Sequence, residues 1–209
     1  MIDSAHFLIF LGAALLLAVA PGPGMLYVLA RSLAGGRREG LLSSLGTFFG
    51  GMVHVIGAAA GVSIILAKSA IAFATVKYLG AAYLCFLGIR MIRDARTEMP
   101  VDVTAITRER NAFWQGVLTE VLNPKTALFF LSFIPQFVHR EGGHVFAQFV
   151  LLGTLSVTLN TTADIVVTML AGPFGERIRR SVRFQRRQRT LTGAIMIGLG
   201  AYLALGESK

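Results

Sequence analysis

The sequence has little charge and almost no cysteine. Asp, Glu, Lys and Arg make up only 15% of its 209 residues, whereas 54% are apolar and the mean hydropathy is +0.65. A soluble domain carries about 25% charged residues, so the composition excludes a water-soluble globule and indicates a membrane protein. Cys85 is the one cysteine, which excludes an internal disulfide and a thiol relay, since each needs a second cysteine.

Acidic residues are also scarce, with 11 Asp and Glu against 20 Lys and Arg, and the net charge is +9. A nucleic-acid-binding protein would gather its basic residues on one folded surface with aromatic side chains that stack on bases. Here the basic residues lie between long apolar runs. We therefore expect the lipid bilayer, and not nucleic acid, as the partner of this chain.

Long apolar runs fill most of the chain. A helix needs roughly 20 residues to cross a hydrocarbon layer of about 30 Å, and six runs reach or approach that length, at about residues 5–30, 41–67, 70–92, 112–138, 145–171 and 189–206. The connections between them are 31–40, 68–69, 93–111, 140–143 and 172–188. The sequence therefore predicts one all-α transmembrane domain over residues 1–209, with no room for a separate soluble domain.

The basic residues are concentrated in alternate connections. The first, third and fifth connections with their flanking span ends contain 15 of the 20: Arg31, Arg37, Arg38, Arg90, Arg93, Arg96, Arg108, Arg110, Arg177, Arg179, Arg180, Arg183, Arg186, Arg187 and Arg189. Loops rich in Lys and Arg stay in the cytoplasm, so we expect both termini on the opposite, periplasmic side. We interpret the arginine run 177–189 as this orientation signal near anionic lipid.

Prolines interrupt the first and fourth spans. The first contains Pro21, Gly22, Pro23 and Gly24, and the fourth contains Asn123, Pro124 and Lys125. Each proline removes a hydrogen bond to the carbonyl four residues back, which frees the carbonyls of Leu17, Val19 and Glu120. Lipid offers these carbonyls no partner, so broken backbone at this depth faces protein or a polar cavity.

The two breaks occupy matching positions, since each lies in the opening span of a three-span half. The halves are 1–93 and 111–206, joined by a cytoplasmic connection at 94–110, and an odd number of spans inserts them in opposite orientations. Two inverted repeats with interrupted helices are typical of transporters whose site lies near the midplane. We therefore expect the seven residues of the two breaks to bind substrate, with ordinary proline kinks that only shape packing as the alternative.

Four ionisable residues lie within predicted spans: His54, Glu120, Lys125 and Asp164. A charged group at this depth costs several kcal/mol by insertion scales. Two interpretations of Glu120 and Lys125 stay open, a mutually neutralised structural pair or two groups aimed at a cavity. Asp164, Glu120 and His54 are the candidates for carrying protons, and the sequence does not decide between the two carboxylates.

Polar and small residues also recur at helical spacing. Ser156, Asn160, Asp164 and Thr168 form a stripe with a period of four residues, which we expect to line a cavity, with contact to another polar helix as the alternative. Gly46, Gly50, Gly57 and Gly61 share one face of the second span and predict close helix contact. His54 lies next to that face, and a structural hydrogen-bonding role is our first interpretation of it.

The chain resembles the LysE/RhtB family of bacterial amino-acid exporters over essentially its whole length. The matching stretches are 20–27 (APGPGMLY), 41–54, 77–84 (KYLGAAYL) with 87–90, and 122–125 (LNPK) with 129–130 and 134–137. The resemblance implies an exporter in the bacterial inner membrane that moves small amino acids or close derivatives out of the cytoplasm by exchange for protons. It implies no cofactor and no enzymatic activity, and a homo-oligomer stays open.

The chain departs from the family pattern at three positions. Many relatives carry an acidic residue where this chain has Gly24 and another where it has Gly51, and often an amide or apolar residue in place of Glu120. We therefore expect a neutral amino acid rather than a cationic one. Two alternative functions make other demands on the sequence: export of a metal or inorganic ion would require clustered ligands, and an intramembrane enzyme would require a catalytic motif such as H-E-x-x-H or G-x-S-x-G, neither of which occurs.

Overall fold

The computed structural model describes residues 4–68, 70–95, 111–139, 144–180 and 182–205, and every element in these ranges is helical. The helices are α1 (Ser4–Val19), α2 (Pro23–Lys68), α3 (Ala70–Asp94), α4 (Ala112–Val121), α5 (Pro124–Leu128), α6 (Val145–Arg180) and α7 (Val182–Leu205), with a π-helical turn at Phe129–Phe133 and a 3-10 turn at Ile134–Phe137 after α5. The all-α prediction is thereby confirmed for this part of the chain. Most of the predicted connection 94–110, the turn 140–143, Ser69 and residues 206–209 lie outside the described residues.

The first predicted span is divided at its prolines. α1 ends at Val19, α2 begins at Pro23, and residues 20–22 between them are not helical. Proline is favoured at a first helical position because the N–H that it lacks would have no intrahelical partner there. The sequence Pro-Gly-Pro therefore ends one helix and starts the next.

α2 contains a reversal of the chain at Gly36. This residue has φ 76°, a left-handed conformation that glycine adopts without steric cost. The arms on either side, 23–35 and 37–68, then run back along each other, since Gly40 lies against Ser32 and Gly24 lies near Thr47. The predicted connection 31–40 contains this reversal, although the chain remains helical on both sides of it.

The fourth predicted span is divided in a similar way. α4 ends at Val121, and Asn123 caps α5, because its side-chain oxygen accepts a hydrogen bond from the Lys125 N–H at 3.1 Å. Pro124 is the first residue of α5. α4 meets the segment Pro124–Phe137 at 45°, so this span is also two helical pieces and not one.

Glycines bring α2 and α4 into close contact. A Cβ at Gly50 would lie 2.6 Å from the Val117 carbonyl oxygen, and a Cβ at Gly46 would collide with the carbonyl of Phe113. The close helix contact predicted for this face is confirmed for these two glycines. The prediction is wrong for Gly57 and Gly61, since a Cβ at either would meet no heavy atom within 4 Å.

The described helices have the length and surface of a membrane protein. By length and composition, Val145–Ala171 can cross a membrane, and so can the helical stretch Pro23–Gly61, which the reversal at Gly36 divides into two arms. Ala112–Val121 with Pro124–Phe137 makes a third candidate if the bent pair is one span. Two shorter apolar helices, His6–Val19 and Arg189–Leu205, lie within the first and sixth predicted spans. Many large apolar side chains are exposed on the outer helix faces, as lipid contact requires.

The helices extend beyond the apolar runs. α6 continues to Arg180 and α7 begins at Val182, so the predicted connection 172–188 is largely helical. Arg and Gln are good helix formers, and a helix ends where its cap lies and not where its apolar surface stops. Hydropathy therefore predicted the apolar part of each helix and missed its polar end.

Candidate functional site

The two breaks meet at one buried cavity. Gly22 at the first break lies against the Lys125 side chain at the second, with 3.2 Å between the Lys125 ammonium nitrogen and the position of a Cβ on Gly22. The cavity between them is lined by Gly22, Gly24, Met25, Thr47, Gly51, Glu120, Asn123, Lys125, Thr126, Phe130, Val157, Asn160, Thr161 and Asp164. The centre of a water molecule can occupy about 20 Å³ of it, so the cavity is too small for an amino acid in this conformation.

The carbonyls at the first break are bound by a residue of the second break. The Lys125 ammonium group donates to the Leu17 carbonyl at 3.0 Å and to the Ala20 carbonyl at 2.8 Å. Leu17 is the residue whose carbonyl Pro21 frees. The ammonium group lies at the C-terminal end of α1, where the helix dipole favours a positive charge.

The carbonyl at the second break is bound by a residue of the first half of the chain. The ring nitrogen Nε2 of His54 donates to the Glu120 carbonyl at 2.9 Å, and the Asn123 N–H donates to the same carbonyl at 3.0 Å. His54 also stacks on Phe130 but does not line the cavity. Each break is therefore capped by a nitrogen-bearing side chain from the other half.

The Glu120 carboxylate is held by its own half of the chain. Its two oxygens accept hydrogen bonds from the Thr126 hydroxyl at 2.6 Å and from the Asn123 side-chain amide at 3.1 Å. In the described part of the chain no direct ion pair joins Glu120 to Lys125. Both groups line the same cavity, and each has its own hydrogen-bonding partners.

The Glu120 carboxylate occupies space that is free because Gly24 has no side chain. A Cβ at Gly24 would lie closer to the Glu120 Oε2 than the 3.0 Å that real Cβ atoms keep. Gly51 also lines the cavity, and it lies against Val157. The carboxylate at 120 therefore depends on the absence of a side chain at 24.

Asp164 brings a second carboxylate to the cavity from α6. It is 6% exposed, and its Oδ2 accepts a hydrogen bond from the Thr47 hydroxyl at 2.9 Å. Thr47 is the one hydrogen-bond donor to this carboxylate among the described residues. Of the two acidic groups at the cavity, Asp164 thus has fewer fixed hydrogen bonds than Glu120.

The polar stripe of α6 reaches the cavity only in part. Asn160 and Asp164 line it, whereas Ser156 and Thr168 do not. Ser156 is buried without a hydrogen-bond partner for its hydroxyl, and Thr168 is bonded to Ser32 at 3.2 Å. The prolines of the two breaks, Pro21, Pro23 and Pro124, shape the backbone but do not line the cavity either.

Several lining residues were not predicted. Thr47 lies on the glycine face of α2, seven residues before His54. Residues seven apart lie on nearly the same face of a helix, so this spacing could have predicted that Thr47 and His54 face the same way. Thr126 reaches Glu120 only because the helix is broken between them, and no helical spacing predicts that contact. Met25, Phe130 and Val157 form an apolar wall of the cavity. In the sequence nothing distinguishes them from ordinary core residues.

A second polar network lies between the reversal at Gly36 and the start of α4. The Tyr27 hydroxyl donates to the Ala112 carbonyl at 2.7 Å, and the buried Arg31 donates to the Tyr27 hydroxyl at 3.2 Å and to the side-chain oxygen of Gln115. Arg31 also lies 3.7 Å from Glu39. These contacts join the first half to the second about one to two helical turns from the cavity.

The donor set of the cavity is that of a site for a polar organic molecule. Among the described residues no group of three His, Cys, Asp or Glu side chains could hold a metal ion. The lining instead combines a lysine, two carboxylates, amides and hydroxyls with an apolar wall. Such a mixture suits a small molecule that has charges of both signs and an apolar part.

Comparison with known proteins points to membrane transport. The family model described as LysE type translocator matches residues 15–207. An uncharacterized membrane protein of Vibrio cholerae is 31% identical over 99% of this chain and 100% of its own, and a leucine efflux protein of Klebsiella pneumoniae is 30% identical over 97% and 96%. A leucine efflux protein of Salmonella choleraesuis is 29% identical over 95% and 94%. No solved structure matches the chain.

Proposed function

Because this chain belongs to the family of LysE type translocators, we propose that it exports a neutral, aliphatic amino acid of the leucine type from the bacterial cytoplasm in exchange for protons. The observation that carries the proposal is the cavity between the two broken helices. It combines charges of both signs with an apolar wall. The leucine efflux relatives support an amino acid as the substrate class.

The two charges of an amino acid find complementary groups at the cavity. The carboxylates of Glu120 and Asp164 suit the substrate's ammonium group, and the Lys125 ammonium group suits its carboxylate. The N-terminal end of α2 adds a positive dipole end at the first break. Met25, Phe130 and Val157 offer the apolar surface that an aliphatic side chain requires.

Transport requires this cavity to open on each side in turn. Its volume of about 20 Å³ excludes an amino acid, and we therefore propose that this conformation is an occluded one. On the side of the Gly36 reversal, Tyr27 bonds to the Ala112 carbonyl and Arg31 bonds to Gln115, so these contacts join the two halves. We propose that they close the route from that side to the cavity. These hydrogen bonds must break when substrate enters from that side, which we assign to the cytoplasm because of its arginines.

The proposal includes the full topology: six spans in the inner membrane, two inverted halves, and both termini in the periplasm. It predicts that reporter fusions placed near Ala95 and Arg180 read as cytoplasmic and that a fusion after Lys209 reads as periplasmic. The physical reason is the concentration of basic residues in the odd-numbered connections. If the fusion after Lys209 read as cytoplasmic and the other two were unchanged, the chain would not cross the membrane between Arg180 and Lys209. The proposed sixth span would then be wrong.

The functional test is leucine export with and without a proton gradient. Vesicles that contain the purified protein and labelled leucine should release the leucine faster than protein-free vesicles loaded in the same way. A gradient of one pH unit should change the leucine accumulation by up to about tenfold, since such a gradient is worth about 1.4 kcal/mol per proton. Asp164→Asn should abolish the response to the gradient and keep leucine efflux down its own gradient. The amide still accepts the hydrogen bond from Thr47 but cannot carry a proton.

The matched control for this test is Asp94→Asn, which changes an exposed carboxylate at the end of α3. Its response to the pH gradient should equal that of the unchanged protein. A normal response in the Asp164 variant would assign the proton to another group, with Glu120 next in line. Vesicles that release no labelled neutral amino acid in any condition would contradict the proposed function itself.

A further inference from the structure

A groove lies between α3 and α7, far along the chain from the breaks. The two helices pack closely at Gly88 and Gly193, where a Cβ on either would lie 2.5 Å from the carbonyl oxygen of the other. About one turn beyond this contact a groove of about 660 Å³ opens, lined by Ile92, Arg183, Arg186, Arg187, Thr190, Leu191 and Ala194. It is much larger than the cavity between the breaks.

The groove has a basic part and an apolar part. Arg183, Arg186 and Arg187 are spaced three and four residues apart, so they project from one face of α7. Ile92, Leu191 and Ala194 form the apolar part. Among the described residues no acidic side chain lines the groove. The guanidinium groups therefore present hydrogen-bond donors and positive charge, and no described lining residue supplies a carboxylate to neutralise them.

The neighbouring acidic residue is engaged elsewhere. The Asp94 carboxylate lies 3.7 Å from the Arg90 guanidinium group, and the Asp94 carbonyl accepts a hydrogen bond from Arg189 at 3.5 Å. Arg189 thus ties α7 to the end of α3 beside the groove. The Asp94 carboxylate therefore pairs with Arg90 and not with the three arginines of the groove.

We propose that this groove binds an anionic phospholipid, with the headgroup phosphate on Arg183, Arg186 and Arg187 and an acyl chain along Ile92, Leu191 and Ala194. Arginine binds phosphate through two parallel hydrogen bonds. The groove lies where the apolar helix Arg189–Leu205 begins, and the end of an apolar helix is where the lipid headgroups are expected. A lipid matches both parts of the groove, whereas a soluble phosphate matches only the basic part.

The test compares two lipids whose headgroups differ by one unit of net charge. Each lipid is added to the purified, full-length protein in neutral detergent, and the thermal unfolding temperature is measured. We expect phosphatidylglycerol to raise the thermal unfolding temperature at least about ten times more potently than phosphatidylcholine, since each basic residue contributes on the order of fivefold to binding an anionic lipid. Arg183→Gln/Arg186→Gln/Arg187→Gln should remove this preference. The matched control, Arg37→Gln/Arg38→Gln, changes two exposed arginines outside the groove and should keep it.

Two further measurements distinguish a bound lipid from a bound soluble anion. Ala194→Phe keeps every arginine and fills the apolar part, so it should weaken phosphatidylglycerol binding while the protein stays folded. Inorganic phosphate should not reproduce the stabilisation. Equal stabilisation by inorganic phosphate would make this a soluble-anion site, and an unchanged lipid preference in both the triple variant and Ala194→Phe would overturn the proposed groove.

Discussion

Replacing Lys125 with methionine should reduce leucine export at least about 100-fold. The ammonium group binds the carbonyls of Leu17 and Ala20 at the first break, and among the described residues it is the one positive side chain that lines the cavity. A hydrogen bond from a charged group contributes about 1.5 to 3 kcal/mol, and about 1.4 kcal/mol corresponds to a factor of ten. The measurement is the initial rate of labelled-leucine efflux from vesicles with equal amounts of inserted protein.

Lys77→Met is the control for this variant. Lys77 is also buried, on α3, and it does not line the cavity. Both variants remove a buried ammonium group, so both should lower the unfolding temperature, but only Lys125→Met should lose the stabilisation by leucine, which reports binding directly. Export within twofold of the unchanged protein in Lys125→Met would exclude the ammonium group from the transport site.

Each half of the chain caps a broken helix of the other half, and this explains why replacing Lys125 alone is expected to reduce export so strongly. Lys125 of the second half caps the end of α1, and His54 of the first half caps the end of α4. If the halves moved apart, the Leu17 and Ala20 carbonyls would lose the Lys125 ammonium group, which costs about 1 to 3 kcal/mol for each buried carbonyl left unpaired. The Glu120 carbonyl would lose His54 and keep the Asn123 N–H. Substrate that competes for Lys125 would lower this cost, and so couple its binding to opening of the cavity.

The sequence predicted where the helices break but not how the breaks are capped. Proline chemistry is local, so Pro21, Pro23 and Pro124 indicated the ends of α1 and α4 directly. The bond from Lys125 to Leu17 joins residues 108 positions apart, and no periodicity contains that information. The cavity could be placed from the sequence, whereas its hydrogen-bonding partners required the three-dimensional structure.

The polar stripe of α6 shows how a periodic pattern overreaches. Four residues of a helix turn through about 400°, so residues spaced by four shift by about 40° at each step. Across Ser156, Asn160, Asp164 and Thr168 the stripe therefore rotates by about 120° around the helix. Only its middle members, Asn160 and Asp164, line the cavity, and a pattern of three and four residues would have stayed on one face.

Gly24→Ala is expected to reduce export at least about tenfold, although it adds a single methyl group. That group would overlap the Glu120 Oε2, so the carboxylate would have to leave the Asn123 amide and the Thr126 hydroxyl that hold it. The loss of hydrogen bonds to a buried charge should also destabilise the protein by on the order of 3 kcal/mol. Gly12→Ala is the control, because a Cβ at Gly12 meets no heavy atom within 4 Å.

A double-mutant cycle makes the cause of this effect measurable. In a Glu120→Ala background the carboxylate is gone, and Gly24→Ala then adds only a residue with a better helix propensity in the first turn of α2, a gain of up to about 1 kcal/mol. The same substitution should therefore lower the unfolding temperature of the unchanged protein and raise that of the Glu120→Ala variant. If it lowers both by the same amount, residues 24 and 120 are not coupled, and the contact between residue 24 and the Glu120 carboxylate is not what the glycine protects.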